Sequence, residues 1–436
     1  MRILLVQALT SLDMELVYPL GLTCLAAHLD GHEVEIFDVN LHRDRPEVLA
    51  DKLREINPQV VGVSLRNIKV FRPGGMEDDF NPQVAIIRRI RQVLPRVFLV
   101  VGGTAFSLYA RPLMQMLPEV DVGVWGEGEL RFAELLRTRA PASIPGVYYR
   151  EDGEVRYSGA PPPLDFDSLR APRRELVDHQ PYLVSSPVSV GIQAKRGCVL
   201  DCIHCSDTFL LGRKVRLRSP VSVADELTEL VENHGVNRVF FCDQIFNIPP
   251  EHAIEICQHI AERNLGLRWS AWFNENRRTL SDELMVWLKR AGCDLLSFSP
   301  DHVDDAVLRK LGKNFTSRDL AYTLDLAQRF DIDVEYSFFL NSPGENAISL
   351  VRLFSFLLRA RLQLGDRLRL FTLLMMQPIR IYPHTKLAEL ARELGLVDVG
   401  DDLLEARFYN PPPLSALVAG VQGAARVAYG IRRLYR

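Results

Sequence analysis

The first third of the chain alternates short apolar runs with segments whose apolar residues recur at helical spacing. Continuous apolar runs predict five buried strands, at residues 2–8, 33–39, 59–67, 96–103 and 120–129. The segments between them predict helices at residues 20–32, 46–56 and 81–94. Apolar strands that alternate with helices are typical of a parallel sheet with both faces covered. We therefore expect residues 1–140 to form a doubly wound, Rossmann-like α/β domain.

A change of composition separates this domain from the rest of the chain. Residues 146–159 predict a β-hairpin with Asp-Gly at its turn, and a proline-rich stretch follows. Residues 141–187 are therefore expected to form a hairpin and a linker.

A second alternating series begins near residue 188. Its apolar runs predict strands at residues 190–196, 238–243, 267–272, 294–299, 334–340 and 370–377. Helices are predicted at roughly 222–234, 250–264, 281–291, 317–330 and 347–362. Six strand–helix units are typical of a complete or partial TIM-type (β/α)6 barrel, whose functional site lies at the C-terminal strand ends. We expect the barrel at 188–385 and a short helical C-terminal extension at 386–436.

Composition narrows the class of protein. The chain has 436 residues, 47% of them hydrophobic, and a net charge of −3, so it lacks the basic excess that nucleic-acid binding requires. No signal peptide or spanning segment is evident, and the odd number of cysteines argues against a disulfide framework. We expect a cytoplasmic, monomeric protein without membrane association. The arginine-containing tail, 411–436, is expected to dock on the barrel, with a membrane-surface position as the alternative.

The strand ends of the first domain are candidates for ligand binding. Doubly wound domains bind ligands beyond the carboxyl ends of their strands. The residues at three such ends are Ser64, Arg66, Asn67, Gly102, Gly103, Thr104, Gly126, Glu127 and Gly128. Glycine lets a ligand approach the backbone closely, although these glycines are also compatible with simple turns.

Three of the seven cysteines lie close together, at positions 198, 202 and 205, directly after the first predicted barrel strand. A structural zinc site uses four ligands, and the neighbouring His204 is poorly placed to be the fourth. Three buried core thiols are a second alternative, but the loop is polar. An iron–sulfur cluster held by three thiolates leaves one iron open for a substrate, and this is the interpretation we favour.

The spacing C-x3-C-x2-C after the first strand of such a barrel resembles the radical S-adenosylmethionine (SAM) superfamily. The resemblance implies a [4Fe–4S] cluster on Cys198, Cys202 and Cys205, whose open iron binds SAM. The stretches 212–220, 242–247, 269–276, 341–346 and 380–395, together with the N-terminal domain, resemble the cobalamin-binding subfamily that includes the anaerobic magnesium-protoporphyrin ester cyclases.

The resemblance also implies a way of binding cobalamin. The Asp-x-His-x-x-Gly loop that supplies a histidine to cobalt is absent, since "DVNLH" at 38–42 does not fit it. Cobalamin is therefore expected with its own base displaced and no histidine below the metal. Arg66 and Asn67 are candidates to face the lower side of the corrin, and a relic domain that binds nothing is the alternative.

Several barrel residues are candidate contacts for SAM or the substrate. Asp243 and Gln244 end the second strand, with a helix cap as the alternative role, and Ser270 and Asn274 belong to the third strand region. Asp301 takes the place of the family's glutamate at the fourth strand, and His302 departs from its pattern. Tyr336 is a candidate to approach the adenosyl radical, with a core position as the alternative.

The resemblance implies a cobalamin-dependent methyltransferase. One SAM methylates cobalamin, a second is cleaved to a 5′-deoxyadenosyl radical, and the substrate radical takes the methyl group from methylcobalamin. A radical cyclase or rearrangase is an alternative, and a corrinoid or iron–sulfur sensor is a non-enzyme alternative. The expected partners are a small natural-product or tetrapyrrole-like substrate and an electron donor such as flavodoxin or ferredoxin.

Overall fold

The computed structural model describes residues 1–8, 15–66, 70–72, 75–77, 80–186, 188–369, 377–420 and 423. By their internal contacts, residues 1–71 and 76–190 form one unit, and residues 72–75 and 191–436 form a second. Residues 141–190 therefore pack with the first unit. The domain boundaries expected from the sequence stay predictions.

The first unit contains the five strands predicted for its sheet and a hairpin after them. Its strands are β1 (Arg2–Gln7), β2 (Glu33–Asp38), β3 (Val60–Ser64), β4 (Val70–Arg72), β5 (Gly75–Glu77), β6 (Phe98–Gly102), β7 (Val122–Val124), β8 (Val147–Glu151) and β9 (Glu154–Tyr157). Its helices are α1 (Leu20–Ala26), α2 (Glu47–Ile56), α3 (Phe80–Val93), α4 (Thr104–Leu108), α5 (Ala110–Met116), α6 (Glu129–Thr138) and α7 (Gln180–Ser185). Short 3-10 turns occupy Val39–His42, Pro141–Ser143 and Arg174–Leu176.

The main sheet of this unit has the order β2-β1-β3-β6-β7-β8-β9. Its first five strands are parallel, and the β8–β9 hairpin is added antiparallel to β7. Strands β1 and β3 are almost fully buried because helices cover both faces, with α1 packing against α6 and α2 against α3. The predicted doubly wound architecture is confirmed. Its strand order reverses between β1 and β3, where ligands of such folds bind.

The second unit carries a six-stranded parallel sheet in the order β10-β13-β14-β15-β16-β17. The strands of this unit are β10 (Gly191–Ile192), β11 (Lys195–Arg196), β12 (Arg216–Leu217), β13 (Arg238–Phe241), β14 (Arg268–Phe273), β15 (Cys293–Asp301), β16 (Asp333–Phe338), β17 (Leu368–Arg369), β18 (Ile379–Ile381) and β19 (Arg407–Tyr409). Within the described residues the sheet does not close, so it is a partial barrel as predicted. Strands β11–β12 and β18–β19 form separate antiparallel pairs.

Helices cover this sheet at nearly the predicted positions. They are α8 (Asp207–Leu211), α9 (Pro220–His234), α10 (Pro250–Arg263), α11 (Asp282–Arg290), α12 (Asp305–Lys310), α13 (Ser317–Arg329), α14 (Ala347–Leu364) and α15 (Lys386–Glu393), with a 3-10 turn at Gly365–Arg367. The sequence pattern missed α8 and α12, which are too short to show helical periodicity. Of the last predicted strand, 370–377, all but residue 377 lies outside the described residues. Among the helices of the described chain, none has the length and apolarity needed to cross a lipid bilayer.

Candidate functional site

The three clustered cysteines lie on a loop directly after β11. Gly197 opens this loop with a φ of +97°, and a Cβ there would lie 2.2 Å from the carbonyl oxygen of Lys214. Only glycine therefore fits this position. The next residue, Cys198, donates its backbone N–H to the carbonyl of Gly212 at 3.1 Å, which fixes the start of the loop.

The middle of the cysteine loop is held by two segments distant in sequence. The N–H of Ile203 donates to the carbonyl of Leu311 at 3.0 Å, and the carbonyl of Ile203 accepts from the N–H of Leu387 at 2.8 Å. Asp201 adds two ion pairs, because its carboxylate binds Arg213 at 2.5 Å and also binds Lys386. These contacts fix the loop without involving the thiols.

The three thiols are free and half-buried. Burial raises the pKa of each thiol above its ordinary value, so metal binding must displace three protons. In the described chain, no three side chains of His, Cys, Asp or Glu converge to hold a metal ion. The neighbouring His204 is directed toward Asp301, with 3.4 Å between Nε2 and Oδ2. The zinc alternative therefore stays a prediction, to be tested by metal and sulfide analysis.

A buried ion pair adjoins this loop. Lys313 Nζ lies 2.5 Å from Asp301 Oδ2 in an ion pair, and it donates to the carbonyl of Ser299 at 2.8 Å. Burial lowers the pKa of Lys313, but the charges of Asp301, Cys202 and Glu275 together outweigh it, and the pKa is raised on balance. Asp301, which the sequence analysis predicted as a ligand contact, therefore lies beside the cysteine loop, because it is close to His204 of that loop. Sequence reasoning missed Lys313; the only signal is its position in "LGKN" after a short helix.

Glu275 is a second residue that sequence reasoning missed. It follows β14 and is almost fully buried, and burial raises its pKa to about 8. Its Oε1 atom has no hydrogen-bond partner among the described residues. A buried carboxyl group without a partner is costly unless a ligand satisfies it, so Glu275 is a candidate ligand contact.

Asp243 and Gln244 lie at the carboxyl end of β13 as predicted. Asp243 Oδ1 accepts the N–H groups of Ala194 and Lys195 at 2.8 and 3.1 Å. This contact explains why the predicted strand 190–196 is divided into β10 and β11. Burial raises the pKa of Asp243 to about 6, and within the described chain its Oδ2 and the Oε1 of Gln244 lack partners. The side chain of Asp243 binds the first strand and makes no helix cap, since Pro249 is the N-cap of α10.

Ser270 and Asn274 differ in how their side chains are used. The hydroxyl of Ser270 on β14 is buried, and the described residues offer it no hydrogen bond. Asn274 instead belongs to an amide network, in which its Nδ2 donates to Asn314 at 2.9 Å and its N–H donates to Asn247 at 2.7 Å. Ser270 is therefore available to a ligand, whereas Asn274 stabilises the loop after β14.

Tyr336 lies on the side of the sheet that faces the helices. Its hydroxyl is 2.7 Å from Thr323 Oγ1 on α13, and its ring stacks on Phe298 and contacts Phe356 of α14. This position favours the core role, and the catalytic role stays a prediction. The adjacent Glu335 lies on the opposite face, where it accepts a hydrogen bond from Ser297 at 2.5 Å.

The strand ends thus present a set of buried polar atoms that no described residue satisfies. They are Asp243 Oδ2, Gln244 Oε1, Ser270 Oγ, Glu275 Oε1, His204 Nδ1, Ser342 Oγ and Glu345 Oε1. Most of them lie at the carboxyl ends of β13, β14 and β16 or in the cysteine loop. Native proteins satisfy nearly all such atoms, so the set indicates that a polar ligand binds at these strand ends.

In the first unit, the predicted glycine-containing strand ends lie together. Thr104 Oγ1 donates to the carbonyl of Arg66 at 2.8 Å, and the N–H of Leu65 donates to the carbonyl of Gly102 at 2.8 Å. Gly103 has a φ of +96°, and a Cβ there would lie 2.5 Å from the carbonyl oxygen of Leu65 and 3.0 Å from Ser64 Oγ. The ends of β3 and β6 are therefore in direct contact, and at least Gly103 is required by the turn itself.

The third strand end is bonded to the same region. The N–H of Gly126 donates to Ser107 Oγ at 2.9 Å, the carbonyl of Glu127 accepts from Arg131, and Gly128 is the N-cap of α6. Asn67 lies outside the described residues.

The stretch at 38–42 does not present a ligand for cobalt. Asp38 is buried and accepts hydrogen bonds from Tyr182 at 2.7 Å and from Gln7 at 3.0 Å. The ring of His42 stacks on Phe37, with 5.0 Å between centroids. These contacts are those of a structural turn.

Two models of known protein families match the chain, one in each unit. The model of the B12 binding domain matches residues 14–136, and the model of the radical SAM superfamily matches residues 192–357. The second match begins six residues before the first clustered cysteine.

Two relatives illustrate the similarity in sequence. An uncharacterized methyltransferase of Pyrococcus horikoshii is 27% identical over 334 residues, which cover 75% of this chain and 70% of that protein. An anaerobic magnesium-protoporphyrin IX monomethyl ester cyclase of Cereibacter sphaeroides is 24% identical over 346 residues, which cover 76% of this chain and 54% of that protein. The chain therefore spans little more than half of the cyclase.

Two solved structures share the fold. The radical SAM methyltransferase TsrM from Kitasatospora setae, with cobalamin and a [4Fe–4S] cluster bound, superposes with a TM-score of 0.78 at 23% identity, covering 91% of this chain and 78% of that one. The cobalamin-dependent SAM radical enzyme OxsB, with aqua-cobalamin and SAM bound, gives 0.75 at 15% identity, covering 97% and 66%. At these identities the likeness establishes the fold.

Proposed function

The chain belongs to the cobalamin-binding radical SAM enzymes, and we propose that it methylates an unactivated carbon atom of a small molecule. The observation that carries this proposal is the cysteine loop. Its three thiols form no disulfide, and its backbone is fixed by three separate segments; of the buried polar atoms without partners, His204 Nδ1 belongs to the loop and Glu275 Oε1 belongs to a side chain that interacts with Cys202.

The residues of the second unit fit a cluster with SAM bound to it. Cys198, Cys202 and Cys205 would hold the iron atoms, and the acceptors Asp243 Oδ2 and Glu275 Oε1 would receive N–H or O–H groups of SAM. When bound, the cluster supplies the electron that cleaves SAM and yields the 5′-deoxyadenosyl radical. The contacts of Gly197 and Asp201 fix the backbone of the loop that carries the three thiols.

The strand ends of the first unit fit a cobalamin with no histidine ligand. Arg66, Gly103 and Gly126 lie at three adjoining strand ends where a large flat ligand can approach the backbone. Cobalamin, when bound, carries a methyl group between SAM and the substrate. The turn at 38–42 lacks the Asp-x-His-x-x-Gly spacing, and its Asp38 carboxylate is bound by Tyr182 and Gln7, which supports the displaced-base arrangement.

The proposed stoichiometry provides the test. Methylation of a carbon radical uses two SAM molecules and two electrons per product, and it yields one S-adenosylhomocysteine and one 5′-deoxyadenosine. The anaerobically reconstituted protein would be incubated with a reductant, methyl-deuterated SAM and a metabolite extract, followed by mass spectrometry. We expect a product that gains one labelled methyl group, with the two by-products in roughly equal amounts.

A radical cyclase is the second candidate, favoured by the similarity to the ester cyclase of Cereibacter sphaeroides. A cyclase or rearrangase yields 5′-deoxyadenosine with its product while S-adenosylhomocysteine stays at background, and that result would replace the methyltransferase proposal. A sensor protein would cleave no SAM at all. Replacing the three cysteines by alanine provides the control, because it stops 5′-deoxyadenosine in both enzyme cases.

A further inference from the structure

A cavity of about 800 Å³ lies in the first unit, between helices α2 and α3 and beside the carboxyl end of β2. It shares no residue with the strand ends at which we propose that cobalamin binds. Its volume is that of a site for a small organic molecule.

The inner wall of this cavity is apolar. It is formed by side chains from β2, α2 and α3, namely Phe37, Val39, Leu49, Val84, Ala85 and Ile86. The ring of His42 stacks on Phe37 at an interplanar angle of 16°, and together they offer a flat aromatic surface. Burial and the charge of Arg45 lower the pKa of His42, and its buried Nδ1 has no hydrogen-bond partner in the described chain.

The rim of the cavity is strongly basic. Four arginines line it, at positions 43, 45, 88 and 89, whereas Glu47 is the only acidic residue among the described residues of its lining. Arg88 is paired with Glu119, at 3.3 Å between Nε and Oε1. Arg45 and Arg89 make no ion pair with any described side chain, so their charges are available to a ligand.

Two helix starts border the cavity, and that of α2 adds to the positive potential. Helix α2 begins at Glu47 behind Pro46, without a side-chain cap, and both residues line the cavity. Helix α3 begins at Phe80, and its second and third residues, Asn81 and Pro82, also line it. The N-terminus of a helix attracts anions through its free N–H groups and its dipole.

We propose that this cavity binds a small anion with a flat apolar body, such as an aromatic phosphate or carboxylate. The arginines and helix starts would bind the anionic group, and the Phe37 wall would bind the apolar body. Arginine suits this role because its planar guanidinium binds phosphate and carboxylate through paired hydrogen bonds. The concave shape favours a small molecule over an acidic protein surface.

The test uses 1-naphthyl phosphate as the probe and full-length protein reconstituted with cluster and cobalamin. Binding would be measured by isothermal titration calorimetry, with neutral 1-naphthol as the comparison. We expect the double variant Arg45→Gln/Arg89→Gln to weaken naphthyl phosphate binding at least tenfold. Ala85→Trp, which fills the cavity without removing charge, should weaken it as well.

A matched control removes the same net charge elsewhere in the unit. Arg54 and Arg137 are exposed, are paired with Asp51 and Glu134, and do not line the cavity. Arg54→Gln/Arg137→Gln should leave the affinity unchanged, and cobalamin content should match the wild type in every variant. Equal weakening by the control pair, binding of naphthol as tight as that of its phosphate, or no binding at millimolar concentration would each overturn the proposal.

Discussion

Gly312 tests whether the segment after α12 positions the cysteine loop. Its φ is +76°, and a Cβ at this position would lie 2.2 Å from the carbonyl oxygen of Asp201 and 3.5 Å from Cys202 Cα. The contact is between two backbones, so neither side can relieve it by changing a rotamer. Substitution of Gly312 by alanine must therefore displace the loop that carries the three thiols.

The structure gives the size of this effect. An L-residue in the left-handed region costs about 1–2 kcal/mol, and overpacking a filled site costs about 1–3 kcal/mol more. Gly312→Ala should thus lower the free energy of unfolding by about 2–5 kcal/mol. Gly266 is the matched control, because its φ is +63° and nothing lies within 4 Å of its built Cβ. Gly266→Ala should cost only the backbone part, about 1–2 kcal/mol.

The assay combines stability with cluster content. Urea unfolding of the apo-proteins measures the free energy, and iron and sulfide analysis after anaerobic reconstitution measures the cluster. We expect wild type and Gly266→Ala to bind about four irons and four sulfides, and Gly312→Ala to bind far fewer. If both variants lose the same stability and both bind a full cluster, then the segment at 311–313 does not position the loop.

The other predictions concern the metal groups and one buried histidine. Replacing Cys198, Cys202 and Cys205 together by alanine should abolish the brown colour and the EPR signal of the reduced protein; stoichiometric zinc without sulfide in the wild type would contradict the cluster. The Co(II) EPR spectrum of bound cobalamin should lack nitrogen superhyperfine splitting, and clear splitting would refute the displaced-base arrangement. Burial lowers the pKa of His302 to about 4 from 6.5, so the unfolded chain binds a proton first as the pH falls. Stability should therefore fall between pH 6.5 and 4, and His302→Gln should remove on the order of 3 kcal/mol of this loss at pH 4, as measured by urea unfolding; an undiminished loss in this variant would contradict the reasoning.

The sequence by itself determined the two architectures and the cysteine loop. Strands such as β1 and β3 are buried on both faces, so their residues form continuous apolar runs. Such runs can be recognised in the sequence without knowing which strands lie beside them. The spacing of Cys198, Cys202 and Cys205 is equally local, because one loop carries all three ligands. Helices α8 and α12 were missed because five or six residues show no helical period.

Only the tertiary structure decided which side chains surround that loop. Lys313 and Glu275 lie 70 or more residues from the cysteines in sequence, and nothing local marks them as neighbours. Asp243 was predicted at the site, but its bonds to Ala194 and Lys195 arise only from the pairing of β10 with β13.

The face on which a strand residue lies was also decided by packing. Alternation places Tyr336 and Glu335 on opposite faces of β16, but in a strand whose faces are both covered it does not say which face meets the helices. The hydrogen bond of Tyr336 to Thr323 on α13 settles this. Similarly, the basic cavity between α2 and α3 joins arginines of the turn before α2 to arginines of α3. Local pattern specifies elements because backbone preferences act over a few residues, whereas a site is made by contacts between residues that only folding brings together.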